Sequence, residues 1–192
     1  MRTVLFAGIA FALAASATAQ NRQPADHAAA SQHPAITSSG SEDIEFILDA
    51  AKGGTAEVEL GKLAEQRAKN DEVKKFGQRM VEDHTKANDQ LKLIAESKSI
   101  TLPQEISAKD KALMQRLEKL NGAAFDRAYM RAMVADHRTD VNEFKKESNS
   151  GRDEQVKAFA ASTLPTLEDH LQQARTTQTA LVNTGKTPAA GN

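Results

Sequence analysis

The stretch DEVKKFGQRMVEDHTKANDQLKLI, Asp71 to Ile94, sets Val73, Phe76, Met80, His84, Ala87, Leu91 and Ile94 apart by steps of three and four. That spacing is the apolar stripe of an amphipathic α-helix. One member, His84, does not belong in an apolar interior. The word around it, MVEDH (Met80 to His84), returns as MVADH (Met133 to His137) and, shortened, as LEDH (Leu167 to His170). Each histidine follows an aspartate.

Outward from this stretch the same period predicts four long helices. The first starts near Ser41, with Ser41 as N-cap and Glu42 and Asp43 in its first turn, and runs to about Lys69. Asn70 ends it and caps the second, which runs from Asp71 to about Lys98. SITLPQEIS breaks the chain at Pro103, and a shorter helix follows from Ser107 to about Leu120. Asn121-Gly122 interrupts, and the third long helix continues to about Ser148, with Gly151 as its C-terminal cap. The fourth runs from Asp153 to about Val182; Pro165 inside it predicts a kink and a freed Ala161 carbonyl. Short links make each long pair a hairpin. Two hairpins that bury their apolar faces together form an all-α, antiparallel four-helix bundle with a short extra helix between helices 2 and 3. DEVKKF (Asp71 to Phe76) matches DEQVKAF (Asp153 to Phe159) with one insertion, which points to duplication of a hairpin.

The histidines fall on the inward stripes. Helix 3 carries Met130, Met133, Val134, His137, Val141 and Phe144; helix 4 carries Val156, Phe159, Thr163, Leu167, His170, Ala174, Thr177 and Leu181. On helix 1 the stripe is Phe46, Ala50, Gly53, Glu57, Leu60 and Ala64, with Glu59 facing solvent. Each long helix therefore brings one ionisable residue inward. Glu57 and His84 are equally far from the Asn70–Asp71 junction and should be level. His170 lies about six residues further from its turn than His137, a mismatch of about 9 Å at 1.5 Å per residue. A kink at Pro165 would absorb part of it; otherwise one of these two histidines drops out of the cluster.

A carboxylate and imidazoles in a dry core cost several kcal/mol unless partnered. Two answers stay open. In one, a transition metal (Zn²⁺, Cu²⁺ or Fe²⁺) is held by Glu57, His84, His137 and His170. Asp140, one turn beyond His137, is then a further ligand or an outer acceptor. Asp83, Asp136 and Asp169 sit about 100° around from their histidines, where each can meet a histidine of an adjacent helix. In the other, a metal-free network with Glu57 as acceptor fixes helix register, and the protein is a non-catalytic envelope or stress-related protein acting through its surface.

The rest of the chain bounds these readings. MRTVLFAGIAFALAASATAQ joins Arg2 to a short apolar run and an Ala17-Thr18-Ala19 end, the pattern of a signal peptide cleaved after Ala19. Export, to the bacterial periplasm, follows. Residues 20–41 read as a disordered tether, with His27 and His33 as ordinary tether residues; 42–182 as the bundle; 183–192 as a tail. Without residues 1–19 the chain holds 24 basic and 26 acidic residues and no Trp, which argues against nucleic acid as a partner. No stretch after the signal is apolar enough to span a membrane, and there is no cysteine. No nucleophile–base motif or phosphate-cradling loop speaks for an enzyme. A protein partner goes unnamed and a homo-oligomer stays open. Met80, Met130 and Met133 are at core spacing, Gly53, Gly54 and Gly61 offer close helix approach, and Tyr129 is spaced to hydrogen-bond Asp126.

Three segments carry a family resemblance: Phe46 to Leu91 (FILDAAKGGTAEVELGKLAEQRAKNDEVKKFGQRMVEDHTKANDQL), Ala123 to His137 (AAFDRAYMRAMVADH) and Phe159 to Ala174 (FAASTLPTLEDHLQQA). Together the chain resembles the bacterial "domain of unknown function 4142" family over about Glu42 to Leu181. The resemblance implies an exported, ferritin-like four-helix bundle and no established activity. Ferritin-like metal sites use a Glu-x-x-His pair on each of two helices. Here Val81 and Leu167 stand where those glutamates would be, which argues against a carboxylate-rich di-iron centre.

Overall fold

The computed structural model describes residues 38–184, which form five helices and no strand: α1 Ser38–Arg67, α2 Asp71–Ser97, α3 Ala108–Glu118, α4 Gly122–Ser150 and α5 Glu154–Thr184. The expected signal peptide, the expected tether as far as residue 37 with its two histidines, and the expected tail beyond residue 184 lie outside the described residues. None of the described helices is long and apolar enough to cross a membrane.

Polar side chains at the ends decide where the helices start. Asn70 caps α2, accepting from Glu72 N–H at 2.9 Å and Val73 N–H at 3.3 Å. Ser107 caps α3 through Asp110 N–H. Gly122 opens α4 at φ 58°, a left-handed conformation that suits glycine. Ser41 is not a cap: α1 begins at Ser38, and no acidic residue stands in its first turn. Asp43 has a tertiary task instead. Its carboxylate accepts from Arg152 N–H at 3.2 Å and Asp153 N–H at 2.8 Å, in the turn into α5. The other hairpin repeats the device. Asp126, near the start of α4, accepts from Lys69 N–H at 3.0 Å and Asn70 N–H at 3.1 Å, in the turn between α1 and α2. Both aspartates are buried. Each turn is thus held by the first helix of the other hairpin, at about 1.5–3 kcal/mol per charged hydrogen bond. The expected Tyr129–Asp126 bond does not form; the Tyr129 hydroxyl is buried with no hydrogen-bond partner among the described residues.

α1 packs along α2, and α4 along α5; α2 also meets α5, and α1 meets α4, while α3 lies against α1 and α4. The α1–α2 contact is backbone-close. A Cβ on Gly61 would lie 2.6 Å from the Gly77 carbonyl oxygen, and one on Gly77 would lie 2.8 Å from Ala64 Cβ. Gly54 abuts the Asn88 side chain, whereas a Cβ on Gly53 would meet nothing within 4 Å, so Gly53 is not a close-approach site. α5 continues as one helix through Pro165.

The buried stripes of α2, α4 and α5 follow the sequence period. Early α1 is rotated by one residue: Ile47 and Ala51 are buried where Phe46 and Ala50 were expected. The apolar core comes in two clusters. One joins Leu60, Phe76, Met80, Leu117, Tyr129, Met133 and Ala174; the other joins Ile47, Ala51, Leu91, Phe144, Phe159 and Leu167. All three core-spaced methionines, Met80, Met130 and Met133, are in the first.

Candidate functional site

A polar layer separates the two apolar clusters. On α1 it is Glu57, between Ala51 and Leu60; on α2 His84, between Met80 and Leu91; on α4 His137, between Met133 and Phe144; on α5 His170, between Leu167 and Ala174. Their exposures are 3%, 6%, 0% and 0%, so all four side chains point inward at one level. The expected 9 Å mismatch is absent: His137 Nε2 and His170 Nδ1 lie 3.3 Å apart. Counting residues measures Cα height only. Side chains lean toward the N-terminus of their helix. His137 therefore leans away from the α4–α5 turn and His170 toward it, and the gap closes.

Every ring is held from outside. His84 Nδ1 donates to Glu57 Oε2 at 2.9 Å. His137 Nδ1 donates to the Met133 carbonyl at 3.1 Å, with Glu57 Oε1 a further 3.3 Å neighbour that is left without a hydrogen bond. His170 Nε2 donates to Asp83 Oδ2 at 2.8 Å, and Asp83 is held in turn by Arg79 Nε at 3.2 Å. These three nitrogens face acceptors only and must carry hydrogen. In neutral rings the other three, His84 Nε2, His137 Nε2 and His170 Nδ1, are then bare lone pairs. Two of them face each other at 3.3 Å, and the third is buried with no partner among the described residues. One ligand atom from each of the three rings lies within 4.8 Å of the others. Opposed lone pairs in a dry core repel unless something positive sits between them.

The electrostatics follow from burial and pairing. Burial pushes the Glu57 carboxyl up, but His84 and His137 outweigh it and bring it down to about 2. Burial pulls His84 down, and Glu57 outweighs that to raise it. His137 is lowered, chiefly by burial, and burial takes His170 down to about 4. Asp83 faces a burial cost that its hydrogen bonds to His170 and Arg79 overcome, so its carboxyl is lowered. Asp136 rises to about 6 and Asp140 well above the usual range, both through burial first and the Glu57 charge second.

Of the three aspartates expected to serve the rings, only Asp83 meets one. Asp136 pairs with Lys109 Nζ at 3.5 Å, and Asp169, 73% exposed, lies 3.4 Å from Arg79 Nη2. Asp140 stands beside the layer. It groups with Glu57 and His137 within 4.8 Å, and its Oδ2 is buried without a partner among the described residues. A cavity of about 40 Å³ adjoins the site, with Glu57, His84, Asp140, Gly53 and Asn88 in its wall. Two participants were not foreseen. The Met133 carbonyl has no sequence signal; Arg79 had one, its i,i+4 spacing to Asp83.

A family model described as "Domain of unknown function (DUF4142)" matches residues 13–177. No curated protein matches the chain in sequence. Two solved structures are similar in fold. One is the "putative secreted protein DUF305" of Streptomyces coelicolor, at 16% identity and TM-score 0.63, covering 79% of this chain and 97% of that one. The other is a DUF305 fragment from Deinococcus radiodurans, at 14% identity and TM-score 0.63, covering 74% of this chain and 96% of that one. At such identities the likeness is one of fold alone. With most of its length matched by a single family model, this chain belongs to the DUF4142 family of domains of unknown function.

Proposed function

We propose that this protein is an exported, ferritin-like antiparallel four-helix bundle, with α3 as an extra short helix, that holds one divalent transition-metal ion between His84, His137 and His170. The observation that carries the reading is the pair of ring nitrogens facing at 3.3 Å, both with their outer N–H groups already donated. Two imidazoles on one tetrahedral ion, with bonds of about 2.0–2.1 Å, bring their nitrogens about 3.3 Å apart. The ligand atoms are His84 Nε2, His137 Nε2 and His170 Nδ1. Glu57, Asp83 and the Met133 carbonyl orient the rings from behind, as outer acceptors do around imidazole-bound metals. Glu57 therefore acts first as an orienting group. Its unpartnered Oε1, or a water in the adjoining cavity, completes the coordination. Imidazole ligands favour Zn²⁺, Cu²⁺ or Fe²⁺ over Ca²⁺ and Mg²⁺.

The adjoining 40 Å³ has room for about one or two waters, which favours keeping or sensing an ion over transforming a substrate. Export is supported by the signal-like residues 1–19 and by the secreted description of the Streptomyces relative. Elemental analysis of the purified mature protein tests the metal. About one transition-metal ion per chain, lost in His84→Ala, is the expected result. Chelator-treated protein should gain about 2.7 kcal/mol when Zn²⁺, Cu²⁺ or Fe²⁺ is supplied at a hundred times its dissociation constant. Protein that binds none of the three and gains no thermal stability from them would leave the layer as a metal-free register device.

A further inference from the structure

Two seams flank the histidines, and they differ in lining: one mixes Arg79 with the carboxylates of Asp83 and Asp169, the other is mostly carboxyl groups. Over the α2–α5 seam lies Arg79, giving Nε to Asp83, Nη1 to Gln173 at 3.0 Å and Nη2 to Asp169 at 3.4 Å. On that side the guanidinium stands over Asp83, the acceptor of the His170 ring.

The α1–α4 seam is lined mostly by carboxyl groups. Its outer part is a cavity of about 270 Å³ with Glu42, Glu45, Asp49, Glu143 and Glu147 in its wall and Lys146 as its only basic lining residue. Lys52 also reaches Asp49, at 2.8 Å on the surface. Asp49 and Glu143 are shared with the inner cavity of about 40 Å³, whose wall includes Asp140, Glu57 and His84. On α4 the carboxyl groups of Glu147, Glu143 and Asp140 step inward about one helical turn at a time. At the outer end Glu147 (7% exposed) and at the inner end Glu57 (3% exposed) each present an Oε1 with no hydrogen-bond partner among the described residues; Asp140 Oδ2 between them is the same. A cation can reach such oxygens, displacing a proton where burial raises the carboxyl group, as at Asp140 and Glu147.

We infer that the α1–α4 seam is the passage by which a divalent cation reaches the three histidines. This is a role in loading rather than in holding the ion, and it rests on the metal-binding reading above. A channel lined by one sign of charge raises the arrival rate of the opposite charge by about ten- to a thousandfold, and salt removes the advantage.

The test mixes metal-free full-length protein with Zn²⁺ and follows the loss of free ion with a fluorescent zinc indicator in a stopped-flow instrument. The double variant Asp49→Asn/Glu143→Gln should load about tenfold more slowly at low salt and reach the same final Zn²⁺ per chain. The gap should close as salt rises. A control with equal charge change far from the seam, Glu72→Gln/Glu118→Gln, should stay within about twofold of the unaltered protein. A second variant narrows the seam without touching its charge. Gly53 lines the inner cavity and a Cβ there meets nothing within 4 Å, so Gly53→Leu puts its side chain into the seam and should also slow loading. Loading by both seam variants at the unaltered rate, or equal slowing in the control, overturns the passage while the metal site stands. Failure of the unaltered protein to take up Zn²⁺ overturns both.

Discussion

Replacing Glu57 by Gln tests the polar layer most directly. The carboxyl group is buried and held at about 2 in the folded chain against an ordinary 4.5, mainly by His84 and His137 against the cost of burial. That displacement converts to about 3 kcal/mol of stability at neutral pH. The rise of His84 is the same ion pair seen from its partner and adds nothing further. Because the folded value is depressed, the contribution is complete above the unfolded value of 4.5 and is lost as pH falls from there toward 2. Gln cannot titrate, and whichever way its amide turns, its NH₂ faces one of the Nδ1–H groups of His84 and His137. Urea unfolding of metal-free protein should therefore find Glu57→Gln less stable by about 3 kcal/mol at pH 7, with the gap shrinking as both proteins are compared toward pH 3. Metal titration should find affinity about 10- to 100-fold weaker, through loss of ring orientation. A stability gap under about 0.5 kcal/mol at pH 7, or one that does not change with pH, would refute the assignment of Glu57 as the anchor of the layer.

Other consequences can be checked on the same preparation. Metal affinity should fall as pH is lowered, because below its raised value His84 holds a proton that the ion must displace; calorimetry in buffers of different ionisation heat should register that release. Asp126→Ala and Asp43→Ala should each cost about 2–4 kcal/mol in urea unfolding and leave metal stoichiometry unchanged, since each removes a buried acceptor of turn N–H groups far from the rings. Gly61→Ala should destabilise by about 1–3 kcal/mol, because its Cβ would press on the Gly77 carbonyl, whereas Gly53→Ala has room and should stabilise by up to about 1 kcal/mol; thermal melts of opposite sign separate the two.

Much of this was legible before any coordinates. The three-and-four spacing marked the buried faces of α2, α4 and α5, Asn70 marked the first turn, and equal distance from that turn put Glu57 level with His84. What escaped has a common cause. A repeat count measures position along an axis, and the leaning of side chains brings His137 and His170 together in spite of it. Glu57 was expected as a ligand, and an inward carboxylate looks the same in sequence whether it faces an ion or the back of a ring; its Oε2 lies 2.9 Å from His84 Nδ1, while its Oε1 has no hydrogen-bond partner among the described residues. Asp43 read as part of a helix start because its partners, Arg152 and Asp153, lie more than a hundred positions away. The one-residue rotation of early α1 has no local signal; Ile47 lies within the second apolar cluster while Phe46 packs partly buried against it.

The exchanged carboxylates of Asp43 and Asp126 have a consequence for assembly. Each half of the chain borrows an oxygen pair from its sibling to complete its elbow. A half on its own would leave those N–H groups without their acceptors, and cutting the chain between α3 and α4 should yield two fragments that refold together and not apart.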